Sequence, residues 1–310
     1  MSYRILSDGD LADILTVGDA VGQIEDSLRA KAEGGLVAPP RFHVDVAGGS
    51  LVFTAGAETR NDRVIGFRVY DTFRNTSPER NQLTAVFDSE SGGFKGIVIG
   101  GLIGGIRTGA IGGVAIKHMS RPDACCLGIL GSGFQARFQL EAAVSVRRFE
   151  SVKVFSPTRG HREAFAAEMS GKSGLQVEAS ASAEDVVREA DVLICATNRF
   201  GPVFDAKWLK RGAHVSTIGP KLKGAHEIPM EAVEECKTIA TDSLTQVDGY
   251  SPPFFLLDTA HRDRMIELSD IVSGKRAGRT SDNDITLFCS VGLAGTEVVV
   301  ANEALRLAEG

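Results

Sequence analysis

Apolar residues along this chain follow three different periods, and each change of period predicts a change of architecture. Val21, Ile24, Leu28 and Ala32 recur at spacings of three and four, which places them on one face of a helix. Gly34 and Gly35 stop that helix. A shorter helix over residues 11–15 precedes it, with Asp8 or Asp10 as its cap. After Pro39 and Pro40 the period falls to two. Phe42, Val44 and Val46 alternate with Arg41, His43 and Asp45, and Ile65, Phe67 and Val69 alternate with Gly66, Arg68 and Tyr70. Residues 51–55, 83–88 and 94–99 are further strands, separated by turn clusters such as Gly48-Gly49 and Arg60-Asn61-Asp62. Links this short predict an antiparallel sheet with one polar face, and Arg41 and Arg68 fall on that polar side.

From Ala124 onward, short apolar strands alternate with helices. Strands are expected at residues 126–130, 152–155, 176–179, 192–196, 213–218 and 238–241, and helices at 135–147 and 161–169. This alternation is the signature of a doubly wound parallel sheet. Residues 285–308 read as a helix that packs back on the first domain. The expected fold class is therefore α/β: a Rossmann-type doubly wound parallel sheet plus an N-terminal α+β domain with an antiparallel sheet.

Length and charge narrow the picture. The chain has 310 residues, more than one compact core usually organises. A net charge of −6 argues against a nucleic-acid partner, which would call for a basic patch. The N-terminus carries Asp8, Asp10 and Asp13 and lacks the basic and apolar regions of a signal peptide. The best membrane candidate, residues 96–106, lies between Lys95 and Arg107. It falls short of the roughly 20 apolar residues a spanning helix needs. A cytoplasmic protein with no membrane partner is expected. The five cysteines match no zinc spacing, and Cys125, Cys195 and Cys289 sit in apolar runs as buried thiols. The six histidines are scattered, so no metal site is expected.

The strongest local signal is Gly131-Ser132-Gly133-Phe134-Gln135-Ala136, a G-x-G-x-x-A loop between an expected strand and an expected helix. The first glycine makes the tight turn, the second lets the backbone approach a pyrophosphate, and the alanine lets helix pack on strand. The helix N-terminus then presents free N–H groups to phosphate. The following strand ends in Val154-Phe155-Ser156-Pro157-Thr158-Arg159. An NAD site usually has an acid here for the ribose hydroxyls. This chain offers the hydroxyls of Ser156 and Thr158 and the cation of Arg159, which suit a 2′-phosphate. NADP is favoured as cofactor, with NAD as the alternative, since Arg159 also reads as a solvated residue at a helix start.

Several segments together resemble the ornithine cyclodeaminase/μ-crystallin family. They are the Gly131–Ala136 loop, Arg107-Thr108-Gly109-Ala110, Ala190-Asp191-Val192 through Ala196-Thr197-Asn198 and Pro202-Val203, and residues 285–294, beginning Ile285-Thr286-Leu287-Phe288 and running through Ser290 and Gly292. They lie in the family's order over nearly the whole chain. The resemblance implies a dimerisation and substrate domain over residues 1–112 and 290–310, and a dinucleotide-binding domain over residues 113–289. It implies a homodimer acting on a small amino or imino acid. It adds Thr108, Ala196, Thr197, Asn198, Gly219 and Ser290 to the cofactor-binding set. Arg41 and Arg107 match basic residues that hold the substrate carboxylate.

Two departures from the family matter. Arg68 stands where the family usually has lysine, in a strand leading to an asparagine, here Asn75. The charge is kept, but an arginine does not readily surrender a proton. Lys221, two residues beyond Gly219, stands where the cyclodeaminases carry aspartate. A lysine there would repel a substrate's side-chain ammonium. Lys221 is the candidate proton donor to an imine nitrogen, with bound water as the fallback, and an exposed loop cation is the plainer reading. The expected activity is reduction of a small imino or ketimine acid, or of a keto acid plus amine, by NAD(P)H. A cyclodeaminase-type lyase using NAD, an oxidative amino-acid dehydrogenase and a non-catalytic μ-crystallin-like binding protein are the alternatives.

Overall fold

The structure is a computed structural model and describes residues 3–73 and 82–309. It divides into two compact units, Met1–Arg107 with Gly292–Gly310, and Thr108–Val291. The first unit opens with β1 (Arg4–Ser7), α1 (Asp8–Ile14) and α2 (Val17–Ala32). Ser7 and Thr16 cap the two helices, each reciprocated by an aspartate three residues on, Asp10 and Asp19. Neither Asp8 nor Asp10 is the cap of α1. Asp8 instead accepts from the N–H groups of Gly101 and Leu102, at 2.9 and 2.8 Å, where a later helix begins.

Strands β2 (Leu36–Val37), β3 (Phe42–Val46), β4 (Gly49–Glu58), β5 (Val64–Asp71), β6 (Leu83–Asp88) and β7 (Phe94–Ile99) follow. They form the expected antiparallel meander, extended at one edge by β1, which pairs with β7 in parallel, so the sheet is mixed. Helix α3 (Leu102–Met119) comes next, and the sequence reading has no helix here because its glycines lower helix propensity. The glycines are contact points. A Cβ on Gly104 would lie 2.4 Å from Nη2 of Arg68, and one on Gly112 would lie 2.1 Å from Oε1 of Gln139.

The second unit runs β8 (Cys126–Leu130), α4 (Phe134–Val146), β9 (Ser151–Phe155), α5 (Arg159–Ser173), β10 (Val177–Ala179), α6 (Ala183–Glu189), β11 (Val192–Cys195) and β12 (His214–Thr217). A small hairpin of β13 (Lys221–Leu222) and β14 (Ala225–His226) comes next. Then follow α7 (Met230–Glu235), β15 (Cys236–Thr241), α8 (Leu244–Asp248), α9 (Ala260–Asp263), β16 (Ile266–Glu267), α10 (Leu268–Val272) and β17 (Ile285–Cys289). The eight-stranded sheet has the order β10-β9-β8-β11-β12-β17-β15-β16, and its strands pair in parallel. The order reverses direction at β8, so the carboxyl ends of β8 and β11 flank the switch point where open α/β sheets bind ligands.

The expectation of one helix over residues 285–308 is corrected. Ile285–Cys289 is a strand between β12 and β15, and only α11 (Thr296–Leu307) is helical. Four of the five residues of β17 are buried, and a short continuous apolar run does not distinguish a core strand from a buried helix by its period.

Helix α11 packs on β4, β5, β6 and β7 and on α2. A Cβ on Gly66 would meet the Ala85 carbonyl oxygen at 2.0 Å and Val298 at 3.1 Å, and one on Gly96 would meet Leu305 at 2.7 Å. Glycine on this sheet face lets the helix close in. The face it covers is the one that carries Arg68, which is 7% exposed. The polar side expected to face solvent is therefore the buried side. The alternate residues Phe42, Val44, Leu51, Ile65 and Ile99 are instead exposed. Among the described residues no helix is long and apolar enough to cross a membrane.

Candidate functional site

At the switch point of the second unit, the turn after β8 has the geometry the glycine motif requires. Gly131 has φ +111°, and a Cβ on it would lie 2.3 Å from the Ala196 carbonyl oxygen. Only glycine meets both conditions. Its N–H donates to the Phe155 carbonyl at 2.8 Å, fixing the turn against β9. Gly133 is the N-cap of α4, with no side-chain cap, and a Cβ on it would meet nothing within 4 Å. The first turn of α4 thus presents backbone N–H groups beside an open cradle, which fits a pyrophosphate. Ala136 is fully buried and Phe134 is exposed, while Gln135 holds a buried Oε1 without a partner. Ser132 donates to Ser156 Oγ at 3.0 Å, joining the loops after β8 and β9. Arg137, which no sequence motif marks, donates to the carbonyls of Ser132 and Gly133 and pairs with Glu168 at 2.7 Å.

The residues expected to select the nucleotide are less uniform. Thr158 is the N-cap of α5 without a side-chain cap bond. Arg159 has an 80% exposed side chain and pairs with Glu163 one turn on, at 2.7 Å. Arg162 braces the same loop by donating to the carbonyls of Ser156 and Pro157.

The loops after β11 and β12 are tied together by Glu227, which carries no signal in the sequence. Its carboxylate is fully buried. It accepts from the Thr197 N–H at 3.0 Å and hydroxyl at 2.8 Å, and from the Thr217 hydroxyl at 2.6 Å and Gly219 N–H at 2.7 Å. Gly219 has no room for a side chain, since a Cβ would lie 2.3 Å from that carboxylate. Lys221 is 3% exposed, which corrects the reading of it as an exposed loop cation. It sits in β13 and donates to the Gly219 carbonyl. Ser290 donates its N–H to the Thr217 carbonyl at 3.1 Å, Thr108 accepts from Gln139 at 2.9 Å through its carbonyl, and Asn198 is exposed. The structure thus gathers Gly131, Ser132, Ser156, Ala196, Thr197, Gly219 and Ser290 at the carboxyl ends of adjacent strands, and leaves Arg159 on the surface.

The first unit holds a second cluster, of buried charge. Arg107 on α3 pairs with Glu297 on α11, Nη2 to Oε1 at 3.0 Å. Arg68 on β5 lies 3.7 Å from the same oxygen and donates to Gln82. Thr54 on β4 donates to that oxygen at 3.4 Å. Arg41 donates to the Tyr70 hydroxyl at 3.3 Å, and Arg68 stacks over the Tyr70 ring at 4.7 Å. Burial pushes the Arg68 guanidinium below its usual pKa, Glu297 pulls it back, and Arg107 and Arg41 push it down further. Two arginines, Arg68 and Arg107, thus share one buried carboxylate, and Arg41 lies close enough to add its charge to Arg68. Nε and Nη1 of Arg107 and Nε of Arg68 are buried without a partner. Asn75 lies outside the described residues. Glu297 follows the I-T-x-F-x-S-x-G-x-A segment by three residues, and an acid at the start of an apolar helix was the available signal.

Of the thiols, Cys195 and Cys289 are buried as expected, while Cys125 is half-exposed and Cys236 is buried instead. Cys125 and Cys126 lie beside Asp191. That carboxylate already accepts from both cysteine N–H groups and pairs with Arg121 and Lys210 at 3.1 and 3.2 Å, a structural tie at the start of β8.

The Glu227 tie gives a direct test. In Glu227→Gln one oxygen becomes an NH2 group facing a backbone or hydroxyl donor, and the charge is lost. The expected loss is about 3 kcal/mol of stability, read from denaturant unfolding of variant and parent. A variant as stable as the parent would show that this carboxylate does not hold the two loops.

The sequence profile of the ornithine cyclodeaminase/mu-crystallin family matches residues 4–305. A Δ1-pyrroline-2-carboxylate reductase of Bacillus cereus is 34% identical over 225 residues, covering 71% of this chain and 69% of its own. The structure of the Thermococcus litoralis Δ1-pyrroline-2-carboxylate reductase, in complex with NADH and L-proline, superimposes with a TM-score of 0.88 at 28% identity, covering 98% of this chain and 97% of that one. An archaeal alanine dehydrogenase dimer with bound NAD shares the fold with a TM-score of 0.89 at 24% identity, covering 100% and 97%. With the profile matched over nearly its full length, the chain belongs to the ornithine cyclodeaminase/mu-crystallin family.

Proposed function

We propose that this protein is an NAD(P)H-dependent oxidoreductase that reduces a small imino or ketimine acid, or a keto acid plus amine, to an amino acid. The observation that carries this reading is the Arg107 guanidinium, buried beside Arg41 and Arg68 with donors left without partners. Buried donors of this kind call for an anion, and a carboxylate is the anion an amino-acid enzyme must hold. The named activities of the Bacillus and Thermococcus relatives agree with it.

The cradle at Gly131 and Gly133 would hold the pyrophosphate, with the first turn of α4 as its N–H donor. NADP is the preferred cofactor, its 2′-phosphate taken by Ser156, Thr158 and Arg159. Arg159 must then exchange Glu163 for the phosphate. Thr108, Ala196, Thr197, Asn198, Gly219 and Ser290 complete the nucleotide site. When bound, the reduced nicotinamide supplies a hydride to the substrate's α-carbon. Arg41, Arg68 and Arg107 hold the carboxylate and so orient that carbon. Lys221, fixed by the Gly219 carbonyl, donates the proton to the nitrogen. A substrate with a side-chain ammonium would meet Lys221. At ~4 Å and an effective dielectric of about 20, that repulsion is about 4 kcal/mol. At 3% exposure Lys221 has little room to swing into water. The protein works as a homodimer in the cytoplasm, through the apolar sheet face that exposes Phe42, Val44, Leu51, Ile65 and Ile99.

Three outcomes are expected. First, in a screen of cyclic and linear imino acids, the protein oxidises NADPH faster than NADH and releases no ammonia from L-ornithine with NAD. Robust proline formation from ornithine would replace this reading with a cyclodeaminase. Second, Arg107→Leu retains nucleotide binding but loses at least tenfold in kcat/KM, the equivalent of about 1.5–3 kcal/mol for a charge-assisted hydrogen bond. Normal efficiency would remove Arg107 from the site. Third, sedimentation equilibrium gives the mass of two chains, and Phe42→Asp with Ile65→Asp gives the mass of one. A monomeric parent would rule out the homodimer.

A further inference from the structure

Among Arg68, Arg107 and Glu297, four buried side-chain atoms make no hydrogen bond: Nε of Arg68, Nε and Nη1 of Arg107, and Oε2 of Glu297. Three are donors and one is an acceptor. A ligand carboxylate answers the donors. It does nothing for Oε2, which would face a second anion. Glu297 is 1% exposed, so bulk water does not reach that oxygen. A buried acceptor without a donor is costly, and native proteins rarely keep one without a use.

The two oxygens of Glu297 are used differently. Oε1 takes Arg107 at 3.0 Å, Thr54 at 3.4 Å and Arg68 at 3.7 Å. That set accounts fully for a counterion that offsets guanidinium charge, and it leaves Oε2 over. The backbone beside the cluster is also stripped of bulk. Gly292 has φ +90°, and a Cβ there would lie 2.9 Å from Nη2 of Arg41 and 3.2 Å from Nη1 of Arg107. A side chain at this position would fill the space beside the two guanidiniums.

The unmet donors and the unmet acceptor together are the complement of a zwitterion. We propose that Glu297 Oε2 accepts an N–H from the substrate's α-nitrogen, so that the site recognises the charge on nitrogen as well as the carboxylate. This rests on the carboxylate reading above and adds the second half of the ligand. The ligand class is an α-amino or α-iminium acid, and the corresponding acid without nitrogen is discriminated against. A single N–H on that nitrogen satisfies the contact, so a cyclic iminium, a primary iminium and an amino acid all meet it.

The test is calorimetric titration of the full chain, saturated with NADP+, against pairs of acids that differ at the α-position: L-proline and tetrahydrofuran-2-carboxylate, L-alanine and propionate, L-aspartate and succinate. In every pair that binds, the nitrogen-containing member should bind at least tenfold tighter. In Glu297→Gln that gap should close, and the nitrogen-free acid should bind as tightly as before or more tightly, because one negative charge has left the site. A merely structural Glu297 would weaken both members alike, and that result overturns the proposal. Equal binding of both members by the parent protein also overturns it, while leaving the carboxylate pocket standing. If no member of any pair binds, the carboxylate pocket itself is wrong and this inference falls with it. Should Glu297→Gln fail to fold, the parent comparison decides alone.

Discussion

The first unit is organised around the burial of positive charge. Guanidinium groups leave water at high cost unless their charge is met, and two of them, Arg68 and Arg107, converge here on one carboxylate, with Arg41 close by. That requirement explains features which look unrelated. Glycines stand at 66 and 96 on the covered sheet face because α11 must come close enough to deliver Glu297. Gly104 stands in α3 because the Arg68 guanidinium occupies the space of its side chain. Tyr70 gives its hydroxyl to Arg41 and its ring to Arg68. Each is a consequence of keeping arginine inside.

The second unit solves a different problem with an opposite charge. Its strands end in loops that must hold a fixed shape without secondary structure of their own. Glu227 supplies that shape by gathering four donors from two of these loops, so the backbone there is satisfied by a side chain rather than by a ladder. Lys221 is positioned as a by-product, because the residue whose N–H is held by Glu227 offers its carbonyl to the lysine.

Much of this is legible in the sequence, and the failures have physical causes. The strand–loop–helix at Gly131 is readable because its glycines answer to steric demands that no other residue meets. The alternation along β5 is readable as a strand, but its facing comes out inverted. Alternation shows that two faces differ and does not show which one is covered. The usual assignment puts the apolar side inward, and here the side carrying Arg68 is under α11 while Ile65 is exposed. β17 reads as helix because a strand buried on both faces has no period to read. Glu297 and Glu227 are missed for a further reason: the fold brings their partners to them, and in one dimension an acid that closes a site looks the same as an acid in solvent.

The inverted facing of β5 has a consequence for how this protein can change. Successive residues on the strand answer to separate constraints: Gly66 and Arg68 to the covered, charged layer, and Ile65, Phe67 and Val69 to the uncovered, oily one. Substitutions at even positions and at odd positions are therefore free to accumulate independently, as if the strand carried two interleaved texts. An insertion or deletion of one residue would scramble both at once. Variation within the lineage is expected to be rich in point replacements along this strand and poor in changes of its length.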